Sequence, residues 1–170
     1  MKIITNIQLR AARQVLNIGI IDIAKLLNVS KATISKAELG KTRDFFFKHS
    51  ARLIDFFQQN NIIFPNEYTI RLISDNSSEL FNKQIEILTR FQLRGARCIL
   101  NFSQQSLANH LDIDKGVISR AELLDNLRKI NPNNLDVINH IKNMFLQYGI
   151  ELTDPYSIFF KKYVDITSSY

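Results

Sequence analysis

Two eight-residue segments carry the side chains of this sequence that are best suited to binding chemistry. They read KATISKAE from Lys31 and KGVISRAE from Lys115, and each arranges basic, small and hydroxyl residues around one isoleucine. On a helix this spacing leaves the isoleucine on one side and the polar residues on the other. The hydroxyls and cations donate hydrogen bonds, and the cations attract anions such as phosphate. The sequence shows no nucleophile motif, glycine-rich phosphate loop or spaced set of carboxylates, so we expect neither an enzyme nor a bound cofactor.

Both segments belong to a longer internal repeat. A shift of 84 residues places residues 5–38 over residues 89–122, with 15 of 34 positions identical and no gap. The similarity resumes more weakly at an offset of 88, where Phe57 meets Phe145 and Ile70 meets Ile158. Four residues are therefore inserted around residues 123–132. The repeat predicts two helix-turn-helix-sized domains, copy one at residues 1–74 and copy two at residues 85–170, joined by a polar linker at residues 75–84.

Each copy is predicted to begin with three short helices. In copy one, the apolar periodicity places them at residues 8–16, around residues 23–27 and at residues 31–39. Asn28 and Asp112 are types that tolerate the left-handed backbone of a sharp turn between the second and third helices. Ser30 and Asp114 are good N-caps for the third helix.

A fourth helix and a β-hairpin are predicted to complete each copy. The predicted bounds are residues 50–60 for the helix of copy one, residues 62–64 and 68–73 for its strands, and residues 149–152 and 156–161 for the strands of copy two. The fold class is therefore all-α, or mostly α with two small β-hairpins. Because open strand edges need cover, we also expect the hairpins to pair into a shared sheet between the copies.

The second and third helices have the features of a helix-turn-helix. Ala24 and Ala108 are small enough for the close contact where two such helices cross. At these residues the chain resembles the lambda-repressor-like (XRE, Cro-type) helix-turn-helix family, over residues 5–43 and 89–122. The resemblance implies a third helix that reads bases in the major groove of double-stranded DNA, commonly in a dimeric transcriptional regulator.

This resemblance selects the candidate DNA contacts. On the third helices they are Lys31, Ala32, Thr33, Ser35 and Lys36 in copy one, and Lys115, Gly116, Val117, Ser119 and Arg120 in copy two. Flanking candidates for phosphate contacts are Lys41, Thr42 and Arg43, which follow the third helix of copy one, and Gln104, which opens the second helix of copy two.

The two copies depart from the family pattern at different parts of the motif. Copy one has Gly19, Ile20 and Ile21 where copy two has Ser103, Gln104 and Gln105. Copy two in turn lacks the glycine and cations that follow the third helix of copy one. Residues 1–74 contain 11 basic and 5 acidic residues, whereas residues 85–170 contain 10 and 9. We therefore expect copy one to bind DNA more strongly.

The resemblance also implies a structural ion pair in each copy. Arg13 and Glu38 would link the first helix to the end of the third, and Arg97 and Glu122 would repeat this link. Removal of one partner would leave a stranded charge, so the pairs are predicted to orient the third helix and not to perform chemistry.

Composition limits the remaining interpretations of the protein's partners and environment. The net charge of +6 permits an anionic partner, and no segment approaches the length of a membrane span. The single cysteine, Cys98, is predicted to be a buried thiol in a reducing cytoplasm. His49, His110 and His140 lack metal-ligand spacing, so no metal site is expected. Frequent Ile, Asn and Lys residues point to AT-rich coding DNA, as in a bacterium or its mobile elements.

The sequence supports two hypotheses on function. In the first, the two copies act as a built-in pseudo-dimer on an asymmetric DNA site, located in the cytoplasm or on the nucleoid. In the second, degenerate helix-turn-helix domains recruit a protein such as RNA polymerase or a toxin. The near-neutral charge of copy two and Val117 favour the second hypothesis. Association into a further homodimer stays open, and one of the phenylalanines at positions 45–47 is expected to meet the other copy or another subunit.

Overall fold

The computed structural model describes residues 2–42, 44–74, 87–123, 125–126, 128 and 135–161. The described chain is mostly helical, as predicted, with small β-hairpins. The class is nevertheless α+β and not all-α, because the two hairpins join into one four-stranded antiparallel sheet. The predicted linker at residues 75–84 lies outside the described residues. No described helix is both long enough and apolar enough to cross a membrane.

The elements of the two copies follow the same order. Copy one contains α1 (Asn6–Val15), α2 (Ile20–Leu27), α3 (Lys31–Glu38), α4 (Phe45–Gln59), β1 (Ile62–Ile63) and β2 (Thr69–Leu72). Copy two contains α5 (Arg90–Ile99), α6 (Gln104–His110), α7 (Lys115–Glu122), α8 (Leu135–Gln147), β3 (Ile150–Glu151) and β4 (Ser157–Phe160).

The first helix of each copy starts with a reciprocal cap. The Thr5 hydroxyl accepts a hydrogen bond from the Gln8 backbone N–H at 3.2 Å, and the Thr5 N–H donates to Gln8 Oε1 at 3.0 Å. Thr89 and Gln92 repeat both bonds in copy two, at 3.2 and 3.1 Å. This capping box satisfies two N–H groups that a helix start would otherwise leave unpaired.

The turn and caps that precede the third helix agree with the prediction. Asn28 has φ 56° and Asp112 has φ 51°, so both occupy the left-handed region. Ser30 then accepts a hydrogen bond from the Thr33 N–H at 3.1 Å, and Asp114 accepts one from the Gly116 N–H at 2.7 Å. A left-handed residue reverses the chain direction abruptly, which brings α2 against α3 and α6 against α7.

The fourth helix of copy one starts at Phe45, five residues before the predicted start. The prediction missed this turn because three consecutive phenylalanines do not show a helical period. In the structure Phe45 is 6% exposed and Phe47 is 63% exposed, with Phe46 between these extremes. The helix therefore turns only one of the three fully into the core, and Phe47 faces solvent.

The sheet joins the two copies about a pseudo-two-fold axis. Its strand order is β1-β2-β4-β3, and the central strands pair antiparallel with Ile70 opposite Ile158. These two residues are equivalents at the repeat offset of 88. The flanking hydrogen bonds are reciprocal: the Leu72 N–H donates to Tyr156 O at 2.8 Å, and the Phe160 N–H donates to Tyr68 O at 2.9 Å. The prediction of a shared sheet is confirmed.

The first helices form the second half of the contact between the copies. α1 packs on α5, and both contribute to one hydrophobic core that runs through the two copies. The Arg10 guanidinium donates to Cys98 O and Ile99 O, each at 2.9 Å, and Arg90 Nη1 donates to Val15 O at 2.6 Å. Each guanidinium thus caps the carboxyl end of the other copy's first helix, where a cation also interacts favourably with the helix dipole.

Candidate nucleic-acid interface

The apolar side of each third helix is buried against the rest of its own copy. Ile34 and Ala37 in α3 are fully buried, and Ile118 and Ala121 in α7 are 1% and 7% exposed. α3 contacts both α2 and α1, and α7 contacts α6 and α5 in the same way. The opposite face of each helix is consequently held toward solvent. The side chains on that face are the sequence-predicted candidates.

In copy one the candidate residues of α3 lie at the surface. Lys31, Ala32 and Lys36 are exposed, and Thr33 and Ser35 are half-buried. The Thr33 hydroxyl is 2.9 Å from the Ser30 hydroxyl, so it is tied to the first turn of the helix. The exposed face of α3 therefore presents one cation, Lys31, at its start and a second, Lys36, near its end, with small side chains between them.

In copy two the same positions of α7 are accessible. Lys115, Val117 and Arg120 are exposed, Val117 by 36%, while Gly116 and Ser119 are half-buried. The apolar Val117 replaces the hydroxyl that Thr33 supplies in copy one. A base contacted by this residue would meet a methyl surface instead of a hydrogen-bonding group.

The flanking candidates for phosphate contacts differ in how accessible their polar groups are. Lys41 is exposed. The Thr42 hydroxyl is buried without a hydrogen-bond partner among the described residues, so it cannot reach a phosphate without movement of this segment. Arg43 lies outside the described residues. Gln104 is half-buried, and its Nε2 donates to Glu122 Oε2 at 3.0 Å, so this amide group is engaged inside copy two.

Both structural ion pairs form as two-pronged contacts. Arg13 Nε and Nη2 lie 2.6 and 2.9 Å from the two carboxylate oxygens of Glu38. Arg97 Nε and Nη2 lie 2.5 and 2.7 Å from those of Glu122. All four residues are buried, with 3–8% of their surface exposed. Each pair therefore links the first helix to the last turn of the third helix and sets the direction of that helix.

The third nitrogen of each paired arginine also has a fixed partner. Arg13 Nη1 donates to Ile18 O at 2.8 Å, and Arg97 Nη1 donates to Phe102 O at 2.7 Å. Ile18 and Phe102 lie in the loop between the first and second helices. One arginine per copy thus holds the first helix, that loop and the third helix together. A lysine could not span these three separated acceptors, because its three donors lie on a single nitrogen.

Two buried glutamines were missed by the sequence reasoning as links between helices and hairpins. Gln8 Nε2 donates to Asn66 O at 2.7 Å and to Thr69 O at 3.0 Å. Gln92 Nε2 donates to Asp154 O at 2.7 Å, the equivalent position in the second hairpin. The signal was present in the shared QLR segment, where a polar residue sits on the apolar side of the first helix. These bonds tie each helix-turn-helix candidate to the central sheet.

Several cations counted in the net charge are not available at the surface. Arg10, Arg90 and Arg94 are largely buried, and burial lowers the pKa of each guanidinium. Arg10 and Arg90 serve the contact between the copies, whereas Arg94 Nε lies 4.0 Å from Glu122 Oε2 within copy two. Of the described cations, Lys25, Lys31, Lys36 and Lys41 of copy one remain exposed around α2 and α3, against Lys115 and Arg120 around α6 and α7. The surface charge near the candidate face is thus larger in copy one.

Comparison of the chain with family models, with curated proteins and with solved structures finds no match in any of the three.

Proposed function

We propose that this chain is a sequence-specific double-stranded DNA-binding transcriptional regulator built from two lambda-repressor-like helix-turn-helix units. The observation that carries the proposal is the pseudo-two-fold relation of α3 and α7, each with a polar, cationic face toward solvent. The two strands of a DNA duplex are themselves related by two-fold axes, and dimeric helix-turn-helix proteins use such axes to place two helices in successive major grooves. Here one polypeptide supplies both helices.

The contact between the copies supports a fixed placement of the two helices. The reciprocal sheet bonds, the α1–α5 packing and the two guanidinium caps all connect copy one to copy two. A rigid pair of helices loses little freedom when the second half-site is bound, since the first contact already positions the second. The proposed protein therefore binds one DNA site per chain, with half-sites about 34 Å apart.

The side chains divide into two kinds of DNA contact under this proposal. Lys31, Lys36 and Lys115 neutralise phosphates or reach base edges, and Arg120 joins them in copy two. Thr33 and Ser35 offer hydroxyls to base acceptors, while Val117 offers an apolar contact to a thymine methyl. Binding by copy one thus depends more on charge and hydroxyl contacts, and binding by copy two more on shape and on its arginine.

A salt titration with short duplexes tests this proposal. The logarithm of the association constant should fall linearly with the logarithm of the salt concentration, because phosphate binding releases counterions. Lys31→Gln and Lys36→Gln should each reduce the slope by about one unit. Arg52→Gln removes an exposed charge on α4, outside the candidate face, and is the matched control with an unchanged slope. Absence of duplex affinity at low salt would overturn the proposal.

Recruitment of a protein is the second candidate function. Leu39 and Leu123 are equivalents at the ends of α3 and α7, and they are 56% and 83% exposed. Two exposed leucines at equivalent positions favour an apolar contact with a partner on the same side of the molecule. Under this alternative, Leu39→Ser and Leu123→Ser abolish partner binding while duplexes are not bound at any salt concentration.

A further inference from the structure

We propose that Arg120 recognises a guanine in the half-site of copy two, and that Gly116 provides the space for its guanidinium. The inference rests on the proposed DNA binding and adds a specific base to one half of the site. It follows from the geometry of the first turn of α7 and from the sequence difference between α7 and α3.

The Arg120 side chain lies across the bare backbone of Gly116. The two residues are four positions apart on α7, so they share one face of the helix. A Cβ atom built on Gly116 would lie 3.0 Å from Arg120 Nη1 and 3.7 Å from its Cζ. The same Cβ would lie 2.5 Å from Asp114 Oδ1. A side chain at position 116 would therefore press on the guanidinium and displace it from its present place by a few tenths of an ångström.

The donors of Arg120 are free for a ligand. The residue is exposed, and no hydrogen bond or ion pair engages its side chain within the described ranges. The nearby Asp114 carboxylate is already used as the helix cap, where it accepts from the Gly116 N–H at 2.7 Å. The guanidinium is thus held close to the start of the helix without being consumed by an intramolecular partner. In helix-turn-helix complexes this start of the third helix contacts base edges.

Guanine is the base that fits these donors. It presents two acceptors, N7 and O6, side by side in the major groove, and a guanidinium binds them with two parallel N–H groups. Adenine presents one acceptor and one donor there, so it would leave one guanidinium N–H unpaired. A correct guanine should be preferred by about 5- to 150-fold over another base at this position.

Copy one does not carry the same arrangement. Ala32 fills the position of Gly116, and Lys36 stands where copy two has Arg120. An ammonium group lacks the two parallel N–H groups of a guanidinium, so its contact with guanine is less directed. α3 and α7 differ at three of their eight positions, the third being Thr33 against Val117. Three substitutions in α7 would therefore make its sequence identical to that of α3.

Selection of bound duplexes from a random pool tests the inference with four proteins. The unaltered chain should enrich a site with a guanine fixed in one half. Arg120→Gln should lose that guanine, because an amide pairs with adenine, and it should keep the other half, with its fold checked by circular dichroism. The triple variant Gly116→Ala, Val117→Thr and Arg120→Lys should enrich a site whose halves are alike. The converse pair Ala32→Gly and Lys36→Arg should strengthen the preference for guanine in the half bound by copy one.

The outcomes separate this inference from the proposed function. If Arg120→Gln binds duplexes with the same fixed guanine as the unaltered chain, the inference is wrong while DNA binding stands. If the enriched site has no guanine in either half, the inference is wrong in the same way. If the unaltered chain enriches no duplex at low salt, the proposed function fails and the inference fails with it.

Discussion

Ile70 and Ile158, equivalent residues of the two copies, lie opposite each other at the centre of the sheet. Both are fully buried. A pairing of one residue with its own equivalent is the mark of a two-fold interface, which separate subunits usually form by association. In this chain the interface is internal, so assembly of the paired helices does not depend on protein concentration.

The shared interface predicts that both copies unfold together. Ile158→Ala should lower the free energy of unfolding by about 2–5 kcal/mol, because it removes buried methyl groups and leaves a cavity. Ile70→Ala should have a similar effect, as its equivalent. Phe47→Ala is the exposed control and should change the free energy by less than about 0.5 kcal/mol. Urea unfolding followed by circular dichroism measures these values, and two separate transitions in the unaltered chain would contradict a shared core.

Removal of one partner from a buried ion pair should strongly destabilise the chain. Glu38→Ala should destabilise the chain by about 3–5 kcal/mol, since it leaves the buried Arg13 guanidinium without a counter-charge. Glu122→Ala should be at least as costly, because Glu122 also accepts from Gln104. Thermal melting at fixed pH gives the comparison. A melting temperature equal to that of the unaltered chain would show that the pairs do not hold the third helices.

The third helices, their caps and their turns were predictable because each depends on residues close in sequence. Ser30 and Asp114 cap a helix by local hydrogen bonds, and Asn28 forms its turn alone. The shared sheet was expected from the need to cover strand edges, but its register was not. Register depends on contacts between residues 88 positions apart, such as Ile70 with Ile158, and no local pattern reports them.

The contact made by Arg10 was missed for a related reason. An arginine in the middle of a helix is usually solvated, so nothing local indicates that it reaches Cys98 O and Ile99 O in the other copy. Gly95 was a usable signal. A Cβ at this position would clash with Ile158 Cδ1 of copy two and would lie 3.4 Å from Val15 Cγ2 of copy one, so the first helices approach each other closely here. A glycine inside a helix often marks such an approach.

Cys98 offers a probe of the contact between the copies. Burial raises the pKa of its thiol, so the folded state favours the protonated form. The associated stability is fully present below the unfolded pKa of about 8.5 and declines as pH rises above it, by at most about 1.4 kcal/mol per pH unit. Cys98→Ala should remove this decline. The difference in unfolding free energy between the two proteins, measured from pH 7 to pH 10, tests the sign, and a constant difference would contradict it.

Alkylation of the same thiol should be slow in the native chain. Cys98 is 5% exposed on α5, so a reagent reaches it only when the copies separate or unfold. Ile158→Ala should accelerate the reaction in proportion to its loss of stability, because the open state becomes more populated. Reaction at the rate of a free thiol in the unaltered chain would show that the two copies do not stay together.

The spacing of the two proposed DNA half-sites is the most informative variable, because it probes the fixed arrangement of α3 and α7. Duplexes selected by the chain are altered by insertion of five or ten base pairs between the halves, and binding is measured by fluorescence anisotropy. Both insertions should weaken binding by about 100-fold or more, to the level of one half-site, because the sheet and the first helices hold the copies in one arrangement. Equal affinity at every spacing would show that the copies do not act as one rigid unit on DNA, and binding to no duplex would refute the proposed function.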